Sequence, residues 1–145
     1  MSVLPVTDSQ LVRQCQRDYE EAAQHGGQEA LDACYRLSWA LVHSSEKRDI
    51  QRGLELCEAM LSGGSSDQRE LLYLVAVSKY RQKRFIECRR SLKSLMEVYP
   101  EFRQAEALLE ACEKEIVTDG LIGVGAGAAV IGIVAAVAAA ALSRR

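Results

Sequence analysis

Apolar residues recur at three- and four-residue intervals along most of the chain, and no stretch alternates with a period of two. That pattern predicts helices throughout and no sheet. Thr7-x-x-Gln10 reads as a capping box that starts a first helix after Pro5. Its apolar stripe is Leu11, Cys15, Tyr19 and Ala22, and it ends before Gly26-Gly27. A second helix is expected from about Glu29 to Ser44, through Leu31, Cys34, Tyr35, Leu41 and Val42. Asp49 is the expected cap of a third helix, which carries Ile50, Leu54, Cys57 and Leu61 and stops at Gly63-Gly64. Asp67-x-x-Glu70 opens a fourth helix, apolar around much of its circumference from Leu71 to Val77, which places it in the middle of a bundle. A fifth runs from Phe85 through Cys88, Leu92 and Leu95 to near Pro100, and a sixth begins near Glu101 and uses Phe102, Ala105, Leu108, Cys112 and Ile116.

The pattern changes at Asp119-Gly120. Residues 120–142 are 18 Ala, Val, Ile or Leu and five Gly, with no polar side chain. A helix of that length reaches about 34 Å, enough for a hydrocarbon core of about 30 Å. Its nine larger residues supply about −4 kcal/mol of insertion free energy. Only Ser143, Arg144 and Arg145 follow, so the segment is expected to act as a tail anchor inserted after translation, with Arg144 and Arg145 as a short basic targeting tail. Membrane lipid is thus an expected partner. Gly123 and Gly127 form a G-x-x-x-G pair, a spacing that lets two spans pack closely and makes a homo-oligomer one expectation. The expected organisation is an arm over residues 1–7, a helical domain over 8–118, a membrane helix over 120–142 and a tail over 143–145.

Two helix pairs repeat one another. Ala40-Leu41-Val42 with Ile50, Gly53 and Cys57 matches Ala76-Val77-Ser78 with Phe85, Cys88 and Leu92, at offsets of 36 in the first helix and 35 in the second. A period near 34 marks tetratricopeptide repeats. The expected fold class is all-α: a six-helix bundle with two tandem repeats of this kind, plus one C-terminal transmembrane helix. Such repeats present their first helices on a concave face. By repeat position the groove is expected to use Leu37, Leu41 and Ser44 from the second helix, faced by Tyr73, Val77, Tyr80 and Arg81 from the fourth. For Leu41 and Tyr73 the pattern fits core and groove equally. For Tyr80 and Arg81 it favours the groove. An apolar floor with tyrosine edges and one base suits a partner helix or extended segment.

Charge and candidate chemistry narrow the reading. With 18 bases against 20 acids the net charge is −2, which speaks against a dedicated nucleic-acid binder. Arg81, Lys83, Arg84, Arg89, Arg90 and Lys93 form a basic run broken by Glu87. Its ordinary role is a solvated face; its functional one is a patch for an acidic partner or lipid head groups. The five cysteines are widely spaced with no C-x-x-C, and His25 and His43 lack metal-ligand spacing, so no metal and no cofactor are expected. No phosphate loop, nucleophile elbow or zinc-protease motif occurs, and no catalysis is expected.

Three segments, Trp39-Ala40-Leu41-Val42-x-Ser44, Val75-Ala76-Val77-x-x-Tyr80-Arg81-x-Lys83 and Asp119-Gly120-Leu121-Ile122-Gly123, closely resemble the mitochondrial fission protein one family over nearly the whole chain. The resemblance implies an adaptor tail-anchored in the outer mitochondrial membrane, and often in peroxisomes. It implies recruitment of a dynamin-related GTPase, directly or through adaptor proteins, and an N-terminal arm able to fold over the groove. Pro5 in a short arm and Lys79 in the fourth helix depart from the family pattern. The rival reading of the residues is a tail-anchored tetratricopeptide receptor for chaperones or import substrates. It would call for a clamp of several polar side chains, of which only Arg81 is evident.

Overall fold

A computed structural model describes residues 4–65 and 67–127, with side chains through Gly120. Six helices follow one another: α1 Ser9–Ala23, α2 Gly27–Val42, α3 Lys47–Ser62, α4 Gln68–Arg81, α5 Phe85–Val98 and α6 Arg103–Gly127. Each helix packs on the next, and α2 also touches α4, as α4 touches α6. The even-numbered helices therefore line one face, with α4 at the centre touching α2, α3, α5 and α6. Among the described residues there is no strand, only an isolated bridge between Thr7 and Ser44.

Leucines fill the interior. Leu37, Leu41, Leu71, Leu74, Leu92 and Leu108 are each within 2% of full burial. Burying a side chain of this size contributes about 1.5–3 kcal/mol relative to leaving it in water. Cys34, Cys57, Cys88 and Cys112 fill the small gaps between helices, while Cys15 is only half-buried. Burial pushes the Cys57 thiol up to about 12 and Cys88 higher still, so both stay protonated.

Two turns explain the shift in repeat offset from 36 to 35. Four residues, 43–46, join α2 to α3, whereas three residues, 82–84, join α4 to α5. The shorter turn is closed by Lys83 in the left-handed region at φ 63°. Arg84 N–H donates to Lys79 O and Lys83 N–H to Tyr80 O, the same pair of bonds that Ser65 and Gly64 make at the end of α3.

The expected caps are corrected in two places. Asp8, not Thr7, caps α1: its carboxylate accepts from Leu11 N–H at 2.8 Å. Asp49 lies within the first turn of α3, where it accepts from Ser44 Oγ at 2.7 Å, and the Ser44 hydroxyl accepts from Glu46 N–H at 3.0 Å. These two bonds tie the α2–α3 turn to the first turn of α3, and no side chain caps that helix directly. The helix α6 runs without interruption past Asp119-Gly120, the expected junction, through Gly127. Among the described residues no helix is long and apolar enough to cross a membrane. Gly123 and Gly127 lie on the α6 backbone, and most of the expected span (128–142), with Arg144 and Arg145, lies outside the described residues.

Candidate functional groove

The concave face is built from three helices and the arm. Trp39 and His43 of α2, Tyr73 of α4, and Gln104, Ala107 and Leu108 of α6 line a cavity of about 210 Å³, with Leu4 and Pro5 of the arm on its wall. Helical spacing puts Trp39 and His43 on one face of α2, four residues apart, and their rings stack with centroids 4.2 Å apart. Tyr73 packs its ring on Phe102 at 5.3 Å, and the Arg69 guanidinium lies over the same Phe102 ring at 4.7 Å. Burial holds the Tyr73 hydroxyl above its usual range.

Thr7 fixes the arm. Its N–H donates to His43 O at 3.0 Å and its hydroxyl to Ala40 O at 2.7 Å, which satisfies two carbonyls at the open end of α2. Thr7 is itself buried. Pro5 lacks an N–H, which suits a segment that lies across helices without joining a ladder.

The residues expected in the groove divide into two groups. Leu37, Leu41 and Val77 are fully buried, and Ser44 is 4% exposed. They pack between the helices and present almost no surface to an incoming segment. Tyr73, Tyr80 and Arg81 are half-buried and retain accessible surface. Tyr80 turns toward α5, its ring edge-on to Phe85 at 5.4 Å. Burial is the main cause that holds the His43 imidazole below its ordinary range, and the charge of Arg81 adds to it. The Arg81 guanidinium is itself desolvated, and its Nη1 is buried with no hydrogen-bond partner.

Two members of the basic run are paired with carboxylates. Arg84 makes a two-pronged pair with Glu87 at 2.7 and 3.0 Å, and Arg89 reaches Glu113 at 3.3 Å. Lys83, Arg90 and Lys93 are exposed. Among the described residues, no group of His, Cys, Asp and Glu could hold a metal ion.

Sequence reasoning missed His43, Gln104, Ala107 and Leu108 as groove residues, and it did not assign Trp39 to the cavity. The signal was present: Trp39, Tyr73 and Ala107 follow one another at intervals of 34 residues, and all three line the cavity. The sixth helix thus supplies a third concave position.

Comparison with known proteins agrees with this architecture. Family models for the Fis1 N-terminal and C-terminal tetratricopeptide repeats match residues 32–64 and 69–121. Mitochondrial fission 1 protein B of Arabidopsis thaliana is 42% identical over 95% of this chain and 83% of its own. The mouse mitochondrial fission 1 protein is 31% identical over 71% of this chain and 68% of its own. The crystal structure of fission protein Fis1 from Saccharomyces cerevisiae superposes with a TM-score of 0.66 at 21% identity, covering 79% of this chain and 87% of that one. Yeast Fis1 in complex with an Mdv1 fragment superposes with a TM-score of 0.67 at 19% identity, covering 82% of this chain and 98% of that one. With both repeats matched and a relative 42% identical along almost the full length, the chain belongs to the Fis1 family of mitochondrial fission 1 proteins.

Proposed function

We propose that this protein is a membrane-anchored adaptor of mitochondrial fission that gathers partner proteins through the groove between α2, α4 and α6. The single observation that carries this reading is the aromatic-lined cavity of Trp39, Tyr73 and Leu108, set on a Fis1-family scaffold and open beside the arm. Concave, mostly apolar sites with a few fixed polar groups are the usual form of a binding groove. Yeast Fis1 has been crystallised with a fragment of Mdv1, which supports a role in binding fission adaptors. On this reading the occupant is such an adaptor or a dynamin-related GTPase, and the GTPase performs the constriction.

The membrane part of the proposal rests on residues 120–142. The described part of α6 continues through Gly127, into the first residues of the proposed span. Anchoring confines the adaptor to two dimensions, where clustered weak contacts recruit by effective concentration. The proposed site is the outer mitochondrial membrane, with the helical domain in the cytosol, and the same anchor would serve a peroxisomal membrane.

Two variants of a fluorescently tagged chain test this. The full chain is expected to pellet with organelles, resist alkaline extraction and fragment mitochondria when overproduced, while residues 1–119 stay in the supernatant. Tyr73→Ala is expected to remain folded and anchored yet recruit less partner. Full fragmentation by Tyr73→Ala overturns the groove, and a soluble full chain overturns the anchor.

A further inference from the structure

One polar atom of the groove has its hydrogen-bonding role already fixed. His43 Nδ1 lies 2.9 Å from Trp39 O, one turn back on α2. A carbonyl oxygen only accepts, so Nδ1 carries the proton and donates it. Burial holds the imidazole below its ordinary range, so near neutral pH the ring is uncharged and Nε2 is a bare acceptor. A flip of the ring would lose the bond to Trp39, and the ring is further held by its stack on the Trp39 indole, 4.2 Å away. Nε2 has no hydrogen-bond partner among the described residues, yet it keeps contact with solvent, whereas Arg81 Nη1 and Gln16 Oε1 are shut off from it. His43 is otherwise buried and lines the cavity with Trp39, Tyr73 and Leu108, so the acceptor opens toward that space.

The rest of the cavity limits what can meet this acceptor. None of the side chains that line it carries a charge. A charged group entering would give up its water with no counter-charge to replace it, and a carboxylate would also meet the Nε2 lone pair. At about 210 Å³ the cavity is smaller than the roughly 300–1,000 Å³ of pockets that hold drug-sized ligands, and it suits one large side chain. Leucine or phenylalanine would fill it but strand Nε2 without a donor. Tyrosine and tryptophan combine a large apolar body with a donor at its edge. Tyr73 and Gln104 can each donate or accept, so they adapt to either.

From this geometry we infer that His43 is the specificity-determining residue of the groove: the partner inserts a single tyrosine or tryptophan against Trp39 and Tyr73, and the O–H or N–H of that side chain donates to His43 Nε2. The inference rests on the groove reading above and adds the chemistry of its occupant. Aromatic anchors of this kind are the usual centres of binding energy in protein interfaces.

Peptide-display selection on the full chain held in lipid nanodiscs tests this. From random peptides the wild-type chain is expected to enrich one Tyr or Trp at a constant position. Replacing that Tyr by Phe, or that Trp by its sulfur isostere benzothienylalanine, removes the donor and should weaken binding about five- to tenfold. Binding to the His43→Phe chain, which lacks the acceptor, should barely respond to the same replacement. A second measurement needs no variant of the protein. The nitrogen NMR signal of His43 Nε2 in the wild-type chain should move upfield with the selected peptide and stay in place with the donor-free one. Enrichment of Phe or Leu instead, an equal loss on the wild-type and His43→Phe chains, or an Nε2 signal indifferent to the donor overturns the inference and leaves the groove standing. No enriched peptide, or peptides indifferent to Tyr73→Ala, overturns the groove reading and this inference together.

Discussion

In the first repeat the last turn of α2 is closed: Ala40, Leu41, Val42, His43 and Ser44 are all buried, and Thr7 of the arm bonds across two of their carbonyls. In the second repeat, Ala76, Val77 and Ser78 are buried to the same degree, but Lys79, Tyr80 and Arg81 keep part of their surface. The helix hairpins differ in the same sense. Gly53 lets α3 approach α2 so closely that an added Cβ would lie 2.9 Å from Val42 N. Its counterpart Cys88 fills the gap between α5 and α4 with a thiol that donates to Ala76 O at 3.2 Å. One scaffold thus has a repeat specialised for tight closure and another left free to present side chains. Closure costs the first repeat any recognition role for Leu37 and Leu41, and openness leaves Arg81 without a partner.

Substitutions that exchange these characters probe the contrast. The largest effect is expected from Leu41→Ala, a cavity in the closed repeat costing about 2–5 kcal/mol in chemical denaturation, whereas Tyr80→Ala on the half-exposed counterpart should cost clearly less. Gly53→Ala comes next. Overpacking costs about 1–3 kcal/mol and alanine's helix preference offsets about 1, so a net loss of up to about 2 kcal/mol is expected in thermal melts. A gain in Tm would show that α2 and α3 can relax apart. Thr7→Val keeps the shape and removes the hydroxyl donor to Ala40, for about 1 kcal/mol. Faster hydrogen exchange at the Thr7 amide would report the released arm. Lys83→Gly should stabilise by up to about 1 kcal/mol, because glycine adopts the left-handed conformation without the Cβ conflict.

The smallest effect concerns pH. Burial, with Arg81 adding to it, lowers the folded-state pKa of His43, so the unfolded chain binds the proton more readily. The stability due to neutral His43 is therefore fully present above about pH 6.5, the unfolded value. It declines as the pH falls below that and toward the folded pKa. His43→Asn should flatten the profile between pH 7 and 5. A profile unchanged by the substitution would show that His43 takes up its proton without cost.

Much of the fold could be read along the chain, because helix formation depends on local periodicity. The apolar stripes of α3 and α5 and the glycine stop at Gly63-Gly64 all appear where the pattern puts them. The turn before α5 was less obvious, since Lys83 stands where glycine would announce the end of a helix. The groove was half legible. The 34-residue period points to Tyr73 and, one period on either side, to Trp39 and Ala107. Periodicity alone does not say which side of a nearly all-apolar helix meets water. Val77 and Tyr73 share a stripe on α4, and only packing against α2 and α6 buries one and leaves the other part exposed.

By itself the sequence determined six helices, two repeats and an uncharged C-terminal segment, since each of these follows from residue spacing within one helix or one turn. Tertiary structure alone decided that Thr7 is a tie rather than a cap, and that Arg81 keeps a buried donor unmatched. The physical reason is that burial and pairing belong to whole-molecule packing. A carbonyl 33 residues away from Thr7, or a carboxylate that never comes within reach of Arg81, leaves no trace in local spacing.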